Sequence, residues 1–185
     1  MDNGSEISFK KINKARRIVR YSVAIAAGLL LIFVCIEGYN FYNLSPGKLF
    51  AEKYTAYHLI TSQDTAESAI ERAYKEEKYT DVINLNRNSV LSIKDVFLTG
   101  MSYLETNDLS KAISSFQVVI ADVKDDKRPE LKDVAEYYLA LAYLKNNDYD
   151  QAIELMNTIH DNSSHLYAKK FSRKYINKVK RLKWR

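Results

Sequence analysis

Charged residues are absent from one stretch of the chain and recur throughout the rest. No charge interrupts the run from Tyr21 to Ile36, whereas from Leu44 onward apolar residues recur at every third or fourth position. A spacing of three to four is the period of a helix, while a strand would alternate apolar and polar residues. Only two prolines and five glycines occur in the 185 residues. The pattern therefore predicts an all-α protein with long helices.

The uncharged run is long enough to cross a membrane. Extended through the aromatic residues that follow it, the run predicts a transmembrane helix over residues 21–42, because about 20 apolar residues span the hydrocarbon core. Six Lys/Arg lie in residues 1–20, but only Lys48 and Lys53 lie within 20 residues after the run. The positive-inside rule then predicts residues 1–20 as a basic cytoplasmic tail and puts the bulk of the chain outside.

Other interpretations of the run are disfavoured by its flanks. A cleaved signal peptide would end in a small-x-small site, but the bulky sequence VCIEGYNF follows. Lipoprotein processing before Cys35 would require a small residue where Val34 stands. A buried core helix would carry a polar face, and none interrupts the run. The prediction is a retained anchor.

The segment after the anchor carries helix-start signals. In LSPGKLFAEKYTAYHLI, Ser45 stands as an N-cap and Pro46 at the first helical position, and both residue types favour a helix start there. Apolar residues at helical spacing give this helix one apolar side. The segment predicts a juxtamembrane helix and linker over residues 43–63. A second start signal follows at residues 64–65, with glutamates in the first turns.

Two stretches of the body repeat the same order of small and large residues. GMSYLETNDLSKAISSF and ALAYLKNNDYDQAIELM both break at a polar turn and then resume. Small residues, Gly100 with Ala112 and Ala140 with Ala152, would let two antiparallel helices approach closely, and large residues would fill the space beside them. A hairpin of this kind buries one face only, so hairpins stack into a solenoid.

This order of residues resembles the tetratricopeptide repeat (TPR) family. The family pattern places a small residue, a large one three positions on, a small one nine further, and an aromatic residue four beyond, and both stretches match that spacing. A third, degenerate copy fits loosely at Ala73, Tyr79 and Val82, and Thr99 departs from the usual leucine. The resemblance covers residues 64–163 and implies a short TPR-like solenoid with one degenerate and two clear repeats.

TPR proteins bind other proteins along a concave groove lined by the first helix of each hairpin. Phe97 and Met101 stand where a carboxylate-binding subgroup has Lys and Asn, so the resemblance disfavours a C-terminal carboxylate as ligand. An apolar groove favours a helix or an extended segment bound by its side chains. In the alternative interpretation these residues pack against the chain's own linker, Leu49 to Tyr57. The residues carried over to the groove are Glu71, Tyr74, Phe97, Met101, Tyr137, Leu141 and Lys145.

Residues 164–185 predict a basic amphipathic helix. Apolar residues recur at three or four positions from Tyr167 to Leu182. One interpretation is a capping helix that covers the last repeat, as solenoids require. The other is a surface for anionic lipid or an acidic partner, and both can hold together. The residues predicted to contact an anionic surface are Lys169, Lys170, Arg173, Lys174, Lys178, Lys180 and Arg181.

The charge is unevenly distributed along the chain. The net charge is +5, but residues 1–20 carry +4 and residues 169–185 carry +9, which leaves −8 for the 148 residues between them. An acidic body with two basic ends is not the charge pattern of a nucleic-acid-binding protein.

The sequence carries no motif for catalysis, a metal or a cofactor. A single cysteine, Cys35, excludes an intramolecular disulfide and a cysteine-based zinc site. His160 and His165 in HDNSSH are five residues apart, which fits neither one helix face nor a known zinc motif, so they are interpreted as loop histidines. Residues 125–126, a pair of aspartates diluted by lysines, are interpreted as a solvated turn. The prediction is a protein that is not an enzyme and holds no cofactor or metal.

The layout of tail, anchor and short repeat domain resembles single-pass bacterial inner-membrane TPR proteins that face the periplasm. This resemblance predicts a membrane-anchored scaffold that binds a protein partner and is an accessory of a secretion or envelope-assembly complex. Residues 21–42 would then lie in the lipid bilayer. A regulatory adaptor in envelope-stress signalling is the alternative. An organellar TPR receptor facing the cytosol would require the opposite topology. Nothing in the sequence predicts nucleic acid as a partner.

Overall fold

All of the regular secondary structure in the described residues is helical. The ranges described by a computed structural model are 4–59, 67–86, 92–122 and 129–184. Across them the chain forms nine α-helices and no strand, which confirms the all-α prediction. The chain divides into two compact units, Met1–Leu44 and Ser45–Arg185. The start signal at residues 64–65 and the turn at residues 125–126 lie outside the described residues.

The first unit contains one long helix, α1, Gly4–Tyr42. Within α1, the 20 residues Arg20–Tyr39 are long and apolar enough to cross a membrane, and none of that stretch is buried. Its large apolar side chains are accordingly exposed, Leu30 by 64% and Phe33 by 63%. A membrane helix and a signal sequence both have this composition.

The linker segment, residues 45–59, is helical only in its first half. Helix α2, Pro46–Lys53, starts as predicted, with the Ser45 hydroxyl accepting a backbone N–H of the first turn and proline at the first position. Residues 54–59 continue without regular secondary structure. The apolar spacing predicted a longer helix, but at Tyr54 the backbone becomes extended because the aromatic side chains that follow pack on other helices.

Six helices of the second unit form three hairpins. They are α3 (Ala69–Lys75) with α4 (Tyr79–Asn86), α5 (Ile93–Glu105) with α6 (Leu109–Asp122), and α7 (Pro129–Lys145) with α8 (Tyr149–Asp161). The helices of each pair pack on each other, and each hairpin packs on the next through α4 with α5 and α6 with α7. The first helices also meet, α3 with α5 and α5 with α7, and so form one continuous surface.

The three hairpins share one turn geometry. One residue of each turn has left-handed backbone, namely Glu77 (φ 56°), Asn107 (φ 64°) and Asn147 (φ 68°). The N–H of the next residue reaches the carbonyl five positions back, in the pairs Lys78 to Ala73 at 2.9 Å, Asp108 to Tyr103 at 2.8 Å and Asp148 to Tyr143 at 2.9 Å. This is the Schellman arrangement, which satisfies the last carbonyls of a helix. The first hairpin therefore repeats the same turn as the two that were clear in the sequence.

The close approach predicted at the small residues is present between α5 and α6. Gly100 on α5 is buried, and Ala112 on α6 has no exposed surface. A Cβ atom added at Gly100 would lie 3.0 Å from the Cβ of Ser115 and 3.0 Å from Cε1 of Phe116. Separations this short force the neighbour to move, so glycine fits here because it has no side chain.

The last helix, α9, is Arg173–Leu182, and it is shorter than the amphipathic pattern predicted. Turns and bends occupy residues 163–171. The pattern extended too far because Tyr167 and Phe171 are packed from these turns, where their rings stack on Tyr137 with centroids 4.2 Å and 5.2 Å away. Helix α9 packs on α8 and on α2, so it covers the last hairpin.

Candidate functional site

The apolar residues predicted for the groove come together on the surface formed by α3, α5 and α7. We call this surface the inner face, and it consists of Tyr74, Phe97, Met101, Tyr137, Tyr138 and Leu141. Each of the six side chains is 5% exposed or less. The inner face is therefore covered, and the cover is the linker segment of the same chain.

Tyrosine hydroxyls of the inner face bind the main chain of the linker segment. Three of them donate hydrogen bonds to carbonyl oxygens, in the pairs Tyr137 to Lys53 at 2.5 Å, Tyr138 to Thr55 at 2.7 Å and Tyr74 to Tyr57 at 3.2 Å. The acceptors are every second residue. In an extended chain, groups two residues apart face the same side. The linker segment is thus held by one edge of its main chain.

Among the linker side chains, Tyr57 makes the most ring contacts with the inner face. The ring of Tyr57 meets the rings of Phe97 and Tyr138 edge to face, with centroids 4.9 Å and 6.4 Å away. Such aromatic pairs contribute about 0.5–1.5 kcal/mol each beyond their buried area. Next to it, the hydroxyl of Tyr54 donates to the carboxylate of Glu105 on α5. Side-chain contacts therefore add to the main-chain bonds.

Helix α2 is fastened to the C-terminal helix. The hydroxyl of Tyr175 donates to the Leu49 carbonyl at 2.7 Å, and the Leu49 side chain is 2% exposed. At the surface, Lys178 pairs with Glu52 at 3.0 Å. The linker segment is therefore bound from residue 49 to residue 57, by α9 at one end and by the inner face at the other.

The two charged residues predicted for the groove lie at the margins of the inner face. The Lys145 ammonium lies 4.8 Å from the centre of the Phe50 ring on α2. Glu71 on α3 pairs with Lys94 on α5 at 2.7 Å. Both already have partners in the same chain.

These contacts match the alternative interpretation, in which the groove residues pack against the chain's own linker. The assignment of the same residues to a protein partner stays a prediction. Tyr138 was missed in the sequence, although its neighbour Tyr137 was named. Adjacent residues of a helix face different directions, so two consecutive tyrosines are both buried only when two different parts of the chain pack on them. Here Tyr138 lies under the linker segment and Tyr137 also stacks on Phe171.

Burial controls the ionisation of the inner-face hydroxyls. It raises the pKa of Tyr137 from 10.0 to about 12, with a smaller contribution from Tyr167. Burial also raises the pKa of Tyr138 and of Tyr74. The three hydroxyls therefore remain protonated around neutral pH and keep their role as donors.

The residues predicted to contact an anionic surface have different environments. Arg173 pairs with Asp161 at 2.6 Å and Lys178 pairs with Glu52 at 3.0 Å. Just beyond α9 the single tryptophan, Trp184, is 83% exposed. The exposed members of the set are Lys169, Lys170, Arg173, Lys174, Lys180 and Arg181. A basic surface with an aromatic residue at its end is therefore present.

His165 is buried, unlike an ordinary loop histidine, and it fastens the turns at residues 163–171 to α7. Its Nε2 lies 3.3 Å from a Glu136 oxygen and 3.6 Å from an Asp133 oxygen. Its Nδ1 accepts the Tyr167 N–H at 3.0 Å. An accepting Nδ1 leaves the proton of the neutral ring on Nε2. Metal ligation through Nε2 would need the other tautomer and the loss of the bond from Tyr167, so the three side chains are better explained as a structural contact between the turns and α7.

Comparison with known proteins supports the repeat interpretation. A family model described as a tetratricopeptide repeat-like domain matches residues 19–171, which is more than half of the chain. A search of curated proteins gave no match. A search of solved structures gave none either.

Proposed function

Because the chain belongs to the tetratricopeptide repeat-like family, as its repeats indicated, we propose that it is a non-catalytic scaffold that binds a protein partner. The observation that supports this is the state of the inner face. It already holds an extended polypeptide through the carbonyls of residues 55 and 57 and the ring of Tyr57, and a third hydroxyl binds the carbonyl of Lys53 at the end of α2. Surfaces that bind extended polypeptides typically use the main chain for affinity and side-chain pockets for specificity.

The proposal includes a retained membrane anchor. Arg20–Tyr39 has the length and composition of a membrane span, and the six Lys/Arg before it outnumber the two that follow closely. This imbalance supports a single-pass protein of the bacterial inner membrane with a cytoplasmic N-terminus and a periplasmic scaffold. In that position the scaffold would serve a secretion or envelope-assembly complex. An envelope-stress adaptor would share the topology, and the partner co-purified in mild detergent distinguishes the two.

Repeat domains of this family are typically non-catalytic, and the buried polar residues support a structural role. Asp95 caps α5 in a capping box with Ser92. The hydroxyls of Thr99 and Ser102 donate to carbonyls of the preceding turn at 2.8 Å and 2.9 Å. The Nδ1 of His165 accepts a backbone N–H, so each of the four buried polar residues among the described ones makes at least one structural hydrogen bond, although the His165 Nε2 makes none. No catalytic residue is proposed.

A second surface is proposed for the bilayer. The exposed lysines of α9 and of the turns before it, together with the exposed Trp184, have the composition of a surface that rests on anionic lipid. Replacement of Lys169, Lys170 and Lys174 by Glu should abolish flotation of residues 45–185 with anionic vesicles at low salt. Vesicles of neutral lipid are the control. Equal flotation of the wild type with both vesicle types, or none with either, would leave these lysines as solvated surface.

Protease treatment of bacterial spheroplasts tests the topology. We expect added protease to remove the second unit and to spare residues 1–20, because the basic tail is held in the cytoplasm. The mature chain should retain an intact N-terminus on sequencing by mass spectrometry. Protection of the second unit would contradict the orientation, and a mature chain that starts after Cys35 would contradict a retained anchor.

A further inference from the structure

We infer that residues 53–57 are a displaceable ligand of the inner face, and that the partner it accepts is an extended segment with an aromatic side chain. This deepens the proposed scaffold function and rests on it. The linker segment is the observed example of what the surface binds. The contacts of that example define which features a competing segment must have.

Because the inner face binds the linker through main-chain carbonyls, a segment of another sequence can take the place of the linker. The carbonyls of residues 53, 55 and 57 are bound by tyrosine hydroxyls from α3 and α7. Every residue has a carbonyl, so these bonds place no demand on side-chain identity. Any extended segment that presents carbonyls two residues apart can accept from the same hydroxyls.

The aromatic pocket supplies the sequence requirement. Only Tyr57 among residues 55–58 is half-buried, and Thr55, Ala56 and His58 are exposed. The Tyr57 ring meets Phe97 at 4.9 Å, centroid to centroid. A competing segment therefore needs an aromatic residue at the position of Tyr57, while the residues at positions 55, 56 and 58 are free to vary.

The mode of attachment favours exchange over permanent burial. Residues 54–59 have no helical or strand ladder of their own, and side-chain hydroxyls supply their main-chain bonds. A hydrogen bond of this kind contributes modestly to binding, because water replaces it when the segment leaves. The linker holds its place because it is tethered, which gives it an effective concentration in the millimolar range. A partner binds only when the linker has left the inner face. Its apparent affinity is therefore its intrinsic affinity multiplied by the fraction of molecules in which the inner face is open.

A labelled peptide of residues 49–59, LFAEKYTAYHL, tests the inference on the full chain in lipid nanodiscs. Empty nanodiscs give the background. A chain with Tyr57→Ala frees the pocket and should bind the peptide about tenfold tighter than the wild type, since a lost buried anchor is worth at least that factor. Adding Tyr138→Phe to that chain removes one donor and should weaken binding about fivefold.

Two altered peptides are matched controls. A peptide with Tyr57→Ala should not compete, whereas one with Thr55→Ala should bind like the natural sequence because Thr55 is exposed. If Tyr57→Ala disturbs folding by circular dichroism, Tyr54→Phe loosens the linker by removing the bond to Glu105 and should also tighten peptide binding.

Absence of peptide binding to both loosened chains at millimolar peptide would overturn the inference and make the linker a fixed part of the core. Equal competition by the two altered peptides would overturn the aromatic requirement. Failure of the scaffold proposal looks different. In that case the peptide binds as described, but no partner co-purifies with either loosened chain.

Discussion

Replacement of Gly100 by Leu should unfold the second unit or nearly so. The first atom of the new side chain would already lie 3.0 Å from both Ser115 and Phe116, and three further carbons would push α5 from α6. Overpacking typically costs about 1–3 kcal/mol and occasionally more, and a helix backbone is hard to displace. We expect a loss near the upper end, about 3 kcal/mol, a large share of an ordinary domain's stability of about 5–15 kcal/mol. Thermal unfolding followed by circular dichroism measures it.

Two glycine variants separate close packing from a general effect of substitution. A Cβ at Gly47 meets nothing within 4 Å, so Gly47→Leu should not destabilise the domain and adds up to about 0.8 kcal/mol of helix propensity. Gly100→Ala adds one atom only and gains about 1 kcal/mol in helix propensity, which offsets the contact. If Gly100→Leu melts within two degrees or so of Gly47→Leu, the alignment of the repeats is wrong.

Raising the pH above 10 should release the linker segment and unfold the domain cooperatively. The pKa of Tyr137 is about 12 when folded against an ordinary 10.0, and burial moves the pKa of Tyr138 and Tyr74 in the same direction. The folded state therefore holds protons that the unfolded state loses. Its stability is complete below pH 10 and falls as the pH rises from 10 toward 12. An ionised hydroxyl also ceases to donate to the linker carbonyls.

Tyrosinate absorbance and circular dichroism, recorded on one sample, measure this transition. The part of the absorbance that comes from the buried hydroxyls should change together with the helical signal, because these hydroxyls ionise only as the fold opens. Lysines also lose charge in this range, but surface ion pairs contribute little and are screened by salt. The transition should therefore persist at high ionic strength. Ionisation of all 14 tyrosines by pH 12 with the helical signal intact would contradict the burial of these hydroxyls.

The hairpins could be predicted from the sequence where small residues mark the helix contact. Two copies have glycine or alanine at both contact positions and Asn in the left-handed turn position, which Asn tolerates well. When the first two hairpins are aligned on their left-handed turn residues, Glu77 corresponds to Asn107. Ile70 then takes the position of Gly100, and Val82 takes that of Ala112. Larger residues at the contact and an unfavourable turn residue weakened the sequence signal, although the backbone follows the same course.

The covered inner face could not be derived from the sequence in the same way. The predicted apolar residues do lie together, but the hydroxyl of Tyr138 meets a carbonyl 83 positions away along the chain. Main-chain acceptors carry no sequence signature, so neither this bond nor the extended course after α2 was visible. Periodicity misjudged the C-terminal helix for a related reason, because the packing of Tyr167 from a turn happens to fall at helical spacing.

A distance measurement by pulsed electron paramagnetic resonance tests the central claim, that the chain's own linker occupies the inner face. Spin labels at His58 and Val118, both exposed, would report the position of the linker relative to α6, with Cys35, which is exposed as well, replaced by Ser. The account predicts one narrow distance distribution for the full chain in nanodiscs. A broad distribution without added peptide, as from an untethered loop, would contradict it.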